Sequence, residues 1–224
     1  QALELFRTVG SRLGEANTRK AIGDVQTFRD QRDDALLSYR QALELFRTVG
    51  DRLGEANTLK AIGDVQNFRD QRDDALLSYR QALELFRTVG DRLGEAYTLK
   101  AIGDVQTFRD QRDDALLSYR QALELFRTVG DRLGEANTLA AQGQVALVQD
   151  DQEYADQLLD QAVTIYQAIG SRYSVPAQIG NYGWALLRAG KSDRARPYLL
   201  QAAHLFAEMG LDDYAERHRQ AAGG

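Results

Sequence analysis

The chain has no cysteine, two prolines, one methionine (Met209), one tryptophan (Trp184) and two histidines (His204 and His218) in 224 residues. Without cysteine there are no disulfides, no iron–sulfur clusters held by thiolates and no Cys-ligated zinc. Two histidines leave little for His-based metal or triad chemistry. No apolar run approaches the roughly 20 residues of a membrane-spanning helix, and no signal peptide is recognisable. A cytoplasmic protein without a membrane partner is therefore expected. Lys and Arg total 28 against 33 Asp and Glu, a net charge of −5. That balance argues against a nucleic-acid surface. Because the only Met is Met209, the chain is expected to be a fragment or processed form.

Against this scarcity stand 19 glycines, most of them at fixed intervals. One register holds Gly10, Gly50, Gly90, Gly130, Gly170 and Gly210. A second holds Gly14, Gly54, Gly94 and Gly134. A third holds Gly23, Gly63, Gly103, Gly143 and Gly183. Residues 1–40, 41–80 and 81–120 are nearly one string. The first two differ only at Ser11/Asp51, Arg19/Leu59 and Thr27/Asn67, and the second and third only at Asn57/Tyr97 and Asn67/Thr107. From about 140 the pattern diverges but keeps register. A fixed period of this size is the mark of a repeat architecture. One array is expected over 1–224: a partial unit at 1–10, repeats at 11–50, 51–90, 91–130, 131–170 and 171–210, and a capping helix and tail at 211–224.

Each unit reads as two helices, the first from Arg52 to Arg69 and the second from Asp73 to Val89. Leu53, Ala56, Leu59, Ile62 and Gly63 form the apolar stripe of the first. Ala75, Tyr79, Ala82, Leu83 and Phe86 form that of the second. Gly50 suits the left-handed residue that ends a helix. Asp51, with Ser11, Asp91, Asp131 and Ser171 in register, suits the N-cap of the next. Asp73 and Asp74, like Asp33-Asp34 and Asp113-Asp114, are read as helix-start acids rather than an acid pair or metal site, because adjacent helical residues point apart. Gly63 sits mid-helix at a cost of about 1 kcal/mol relative to Ala. That cost implies a close helix approach, with Ala75 as the expected small partner. Two such helices cannot bury their stripes alone; stacked neighbours can.

The run Leu59, Ile62, Gly63, Ala75, Tyr79, Ala82 and Leu85 resembles the tetratricopeptide repeat family over essentially the whole chain. The sequence departs from that family in its 40-residue unit, its missing helix-terminating proline, Gln66 in place of an aromatic, and Leu159 and Leu199 in the Tyr79 register. The 40-residue variant is similar to repeats of bacterial multidomain signalling proteins and of LGN/Pins-type adaptors. The resemblance implies an all-α, right-handed superhelical solenoid of antiparallel helix pairs. It also implies a non-catalytic role in binding a protein or peptide, with no cofactor, as the sensor or scaffold part of a larger signalling protein. A structural spacer or self-assembling module, recently duplicated or designed, remains the alternative.

Asn57, Lys60, Asp64, Asn67 and Phe68 share one face of the first helix, at i, i+3, i+7, i+10 and i+11. Their equivalents are Asn17, Lys20, Asp24, Thr27 and Phe28, then Tyr97, Lys100, Asp104, Thr107 and Phe108. The resemblance places this face in the concave groove. The Asn/Tyr and Thr/Asn differences between near-identical units fall on it. Toward the C-terminus the Asp64 register becomes Gln144 and then Trp184, and the Asn67 register becomes Leu147 and then Leu187. Trp184, Leu147 and Leu187 are thus an expected apolar anchor; the competing reading is that the last helix, Asp212 to Ala221, folds over Trp184 as a cap. His204 reads as a structural or surface residue. Gly190-Lys191-Ser192 lacks the earlier glycine of a phosphate loop, since Ala185 stands there. Ala61 and Asp64 replace residues that the chaperone-tail carboxylate clamp of some family members needs, so no such binding is expected. The apolar stripe Ala2, Leu3 and Phe6 of the first helix needs a partner: either further repeats precede it, or the chain associates end to end.

Overall fold

A computed structural model describes residues 1–223. Twelve α-helices are present among the described residues: α1 (Ala2–Thr8), α2 (Arg12–Phe28), α3 (Arg32–Val49), α4 (Arg52–Phe68), α5 (Arg72–Val89), α6 (Arg92–Phe108), α7 (Arg112–Val129), α8 (Arg132–Val148), α9 (Gln152–Ala168), α10 (Ser174–Arg188), α11 (Ser192–Glu208) and α12 (Asp212–Gly223). None is long and apolar enough to cross a membrane. The chain forms two compact units, one ending at Leu125 and the other beginning at Phe126.

In the first unit, α2 pairs with α3 and α4 with α5, while α1 lies on α2, α3 on α4 and α5 on α6. The pairs are antiparallel. Gln66 meets Ser78 across the pair while Asp64, earlier on α4, meets the later Tyr79. Gly50 ends α3 in the left-handed region (φ 77°), a conformation glycine adopts without penalty. Ser11, Asp51 and Asp91 then cap the next helix by accepting from Gly14, Gly54 and Gly94 N–H. Each alternate turn uses Asp30, Asp70 or Asp110 in the left-handed region instead (φ 60°, 62° and 59°). The sequence pattern gave no warning of that.

The core is built largely from the expected stripes: Ala56, Leu59 and Ile62 of α4, joined by Val65, against Ala35, Leu36, Tyr39 and Leu43 of α3, with Phe86 and Ala82 of α5; Leu53, expected in the α4 stripe, lies in the first turn and is 45% exposed. The close approach at Gly63 is real, and the atoms nearest to it belong to the Tyr79 ring rather than to the expected Ala75. A Cβ on Gly63 would lie 2.6 Å from the Tyr79 ring, and Gly23 and Gly103 stand in the same relation to Tyr39 and Tyr119. Gly63 makes room for an aromatic ring, whereas at Gly143, in the same register, the nearest atom is the Ala155 carbonyl oxygen at 3.4 Å.

The first-turn acids do more than favour the helix start. Asp33 accepts from Arg69 and Asp73 from Arg109, each a residue of the following repeat. Arg32 also donates to the Phe68 carbonyl at 3.0 Å, with its guanidinium 5.7 Å from the Phe68 ring centre; Arg72 stands over Phe108 at 5.3 Å. These are cation–π distances.

In the second unit, α8 pairs with α9 and α10 with α11, and α12 packs on α11. Asp131 caps α8 through Gly134 N–H. Ser171 does not cap α10 as its register suggests. Its hydroxyl meets the Ser174 hydroxyl at 2.7 Å, its carbonyl accepts from Ser174 N–H in a tight turn, and the helix starts at Ser174. The physical reason lies in the glycine register. At Gly134 a Cβ would overlap the Phe126 ring; the next position in register is Ser174, facing the register of Tyr166.

Candidate partner-binding face

Three first helices of the first unit present the same polar ladder. Lys60 Nζ donates to Asp64 Oδ2 at 2.9 Å, Lys20 to Asp24 at 3.0 Å and Lys100 to Asp104 at 2.8 Å. The other carboxylate oxygen is held from inside. Tyr79 Oη donates to Asp64 Oδ1 at 2.8 Å, and Tyr39 and Tyr119 do the same to Asp24 and Asp104 at 2.9 Å. Burial, reinforced at Tyr79 by the Asp64 charge, pushes these phenols above the ordinary tyrosine value. They are therefore donors throughout the physiological range. Each ladder acid is fixed between an outer ammonium and an inner phenol, a preorganised polar frame.

The variable positions flank that frame. Asn57 is exposed and donates to the Leu53 carbonyl at 3.0 Å; Asn17 is exposed and Tyr97 half-buried at the same register. Thr27 and Thr107 are half-buried, donate to the Gly23 and Gly103 carbonyls, and lie 3.2 and 3.1 Å from the Tyr39 and Tyr119 hydroxyls. Asn67 is half-buried at that register. Phe28, Phe68 and Phe108 stand exposed at the ends of these helices.

In the second unit the expected apolar anchor is not assembled. Leu147 is buried in a core cluster with Leu159, Tyr182, Leu186 and Leu199, so it is unavailable to a partner. Leu187 is half-buried against the same cluster, together with Ala221 and Ala222 of α12. Trp184 is the most accessible of the three, at 36% exposure. Its indole lies edge-on to the His218 ring of α12, centroids 6.2 Å apart. His218 is itself held by the Tyr214 carbonyl at 2.7 Å and packs on Phe206. Gly180 leaves the space this ring occupies, since a Cβ there would overlap it. The last helix thus covers one side of Trp184, as a cap would. His204, by contrast, is a surface residue 3.5 Å from Glu208.

Sequence reasoning missed a second polar centre. Asp156, in the register of the buried Leu36 and Leu76, accepts from the Tyr182 hydroxyl, from Tyr198 Oη at 3.1 Å and from Arg194 at 3.1 Å. An acid where the near-identical units carry Leu36, Leu76 and Leu116, with tyrosines at 182 and 198, was the available signal.

No protein-family profile matches the sequence, and no curated protein sequence matches it. Solved structures do. BtubC (BKLC) from P. vanneervenii superposes with a TM-score of 0.79 at 16% identity, over 93% of this chain and 88% of that one. A Rap protein complexed with Competence and Sporulation Factor gives 0.74 at 18% identity, over 93% and 57%. A signal transduction ATPase with numerous domains, carrying a tetratricopeptide repeat sensor, from Pyrococcus horikoshii, gives 0.73 at 12% identity, over 95% and 37%. The chain therefore spans little more than half of the second protein and about a third of the last. Identities this low speak to architecture, and together with the helix pairs, the small-residue registers and the buried tyrosines they show that the chain has the all-α tetratricopeptide-like repeat fold.

Proposed function

We propose that the chain is a non-catalytic protein- or peptide-binding module, the sensor or scaffold portion of a larger signalling protein. It binds through the face of α2, α4 and α6 that the family resemblance puts in the concave groove. The observation that carries this reading is the division of labour on the face. Lys60, Asp64 and their equivalents form a frame tied to buried tyrosines, while two of the four registers that differ between near-identical units fall beside it, at Asn17, Asn57 and Tyr97 and at Thr27, Asn67 and Thr107; the other two are the N-cap Ser11/Asp51 and the core position Arg19/Leu59. A fixed frame with variable flanks presents different contacts at constant geometry, and repeat arrays use such extended surfaces for binding. Two structural relatives, the Rap protein complexed with Competence and Sporulation Factor and the ATPase with a tetratricopeptide repeat sensor, support a binding role.

The test is a selection of displayed peptides against the whole chain. Binders should lose about tenfold or more in affinity to Asn57→Ala plus Tyr97→Ala, the loss of a contact worth more than 1 kcal/mol. Trp184→Ala, on the other unit, should leave them unchanged. Peptides indifferent to the first pair would sink the groove reading.

Self-association is the second reading, and one observation favours it. Ile22 and Val25 on α2 are 37% and 51% exposed, whereas Ile62 and Val65, their equivalents on α4, are 5% and 1%. Light scattering over a concentration series would show a dimer; a strict monomer at high concentration removes this reading.

A further inference from the structure

The junction between α9 and α10 departs from its counterparts at three positions of their ion-pair and packing network. Where α7 meets α8, Arg127 and Arg132 both donate to Glu135; where α3 meets α4, Arg47 and Arg52 do the same to Glu55 at 2.8 and 3.0 Å. In register at the α9–α10 junction stand Gln167, Arg172 and Val175, with Ser174 where the packing glycine would be. The carboxylate that joins two arginines at those two junctions is absent. Arg172 remains, exposed, and forms no ion pair among the described residues. Because α10 starts late, the junction opens into a crevice of about 270 Å³. Its apolar lining includes Tyr166, Val175, Leu205 and Met209, and its charged lining residues are the exposed Arg172 and, from α11, the exposed Glu208. Glu208 Oε1 lies 3.5 Å from His204 Nε2, one turn earlier, and meets no lysine or arginine among the described residues.

We propose that this crevice binds a free apolar α-amino acid. The ligand's carboxylate takes the place beside Arg172 that Glu135 fills beside Arg132. Arginine suits a carboxylate geometrically as well as electrically. Glu208 disfavours a simple carboxylic acid and favours an ammonium group, so the two charges together select a zwitterion. The apolar lining accepts an aliphatic or aromatic side chain. The volume lies just below the roughly 300–1,000 Å³ of pockets for drug-sized ligands, which limits the occupant to a small molecule. The site belongs to the second unit alone and does not depend on the groove reading.

Calorimetric titration of the whole chain with free leucine and free phenylalanine tests the proposal. At least one should bind saturably, with a dissociation constant of about 1 mM or tighter. The corresponding acids without the amino group, 4-methylvalerate and 3-phenylpropionate, should bind about tenfold more weakly, and Glu208→Gln should remove that difference. Arg172→Gln, an exposed change that leaves the fold intact, should abolish binding. Val175→Glu should also abolish it by restoring the internal carboxylate; retained helical circular dichroism confirms that the variant folds. The proposal is overturned by no saturable heat up to about 10 mM, by unchanged binding to Arg172→Gln, or by acids that bind as well as the amino acids.

Discussion

Gly63 and Tyr79 fit one another so closely that a single methyl group on the glycine would sit 2.6 Å from the phenol ring. Two opposing effects meet in Gly63→Ala. Helix propensity gains about 1 kcal/mol, while overpacking costs typically 1–3 kcal/mol. The ring cannot retreat without breaking its bond to Asp64, so the variant should lose about 1 kcal/mol, read as a lower urea midpoint. Gly143→Ala should behave oppositely. There the nearest atoms, the Ala155 carbonyl oxygen and Leu158 Cβ, lie at 3.4 and 3.5 Å, and Leu159 stands where Tyr79 would. The propensity gain survives and the midpoint should rise. Equal effects of the two substitutions would refute the ring-clearance account.

The buried phenols set an alkaline limit. Burial raises Tyr166 to about 12 and, with the Asp156 charge, Tyr198 to about 12; Tyr39, Tyr79 and Tyr119 move in the same direction. An unfolded tyrosine titrates near 10. Below about pH 10 both states keep these protons, and stability does not depend on them. Between about 10 and 12 the unfolded chain releases protons that the folded chain retains, so stability falls as pH rises. Urea midpoints at pH 8, 10 and 11 should decline only across the upper interval. Tyr79→Phe should flatten part of that decline while losing about 1–2 kcal/mol at pH 8, through the lost bond to a charged acceptor.

Much of the fold was legible because its signals are local and repeated. Gly50 followed by Asp51 writes a helix stop and start within two residues, and the structure uses both as read. The spacing of Lys60 and Asp64 fixes their ion pair for the same reason. What was not legible depends on what a third element covers. Leu147 lies on the same helical face as Asn67, but in the second unit that face is sealed by Leu159, Tyr182 and Leu186. Naming Ala75 as the partner of Gly63 followed size alone and did not foresee that the Tyr79 ring makes the nearest contact. Ser171 was legible in principle: the second glycine register stops at Gly134, and a residue with a side chain at 174 is a reason to doubt the cap. The binding role of the ladder residues is a different matter, since periodicity shows that a face exists but carries no information about its ligand.

The contact between Gly180 and His218 tests how firmly the last helix is seated. A Cβ at 180 would overlap the imidazole ring and also press on Ala202 at 3.3 Å. Gly180→Ala should displace the His218 ring from Trp184 and expose the indole. As Trp184 is the sole tryptophan, the emission of the folded protein reports this directly, and it should shift to the red without loss of helical signal. An unchanged spectrum would mean that α12 is seated by other contacts, such as those of Ala221 and Ala222.

The aspartates in left-handed turns carry the last prediction. Asp70 has φ 62° and its carboxylate accepts from Arg72 at 2.6 Å. A residue with a Cβ pays about 1–2 kcal/mol in this conformation, and aspartate softens that cost by local hydrogen bonding. Its ion pair is largely exposed and worth about 0–1 kcal/mol. In Asp70→Gly the relief of strain offsets both the lost pair and the added freedom of the unfolded chain, so stability should change by less than about 0.5 kcal/mol. Asp70→Ala keeps the strain and loses the pair, and should be about 1 kcal/mol less stable than the glycine variant. Urea unfolding of the two variants side by side measures the difference. If alanine matches glycine, the turn carries no strain and the aspartate is held there by its ion pair alone.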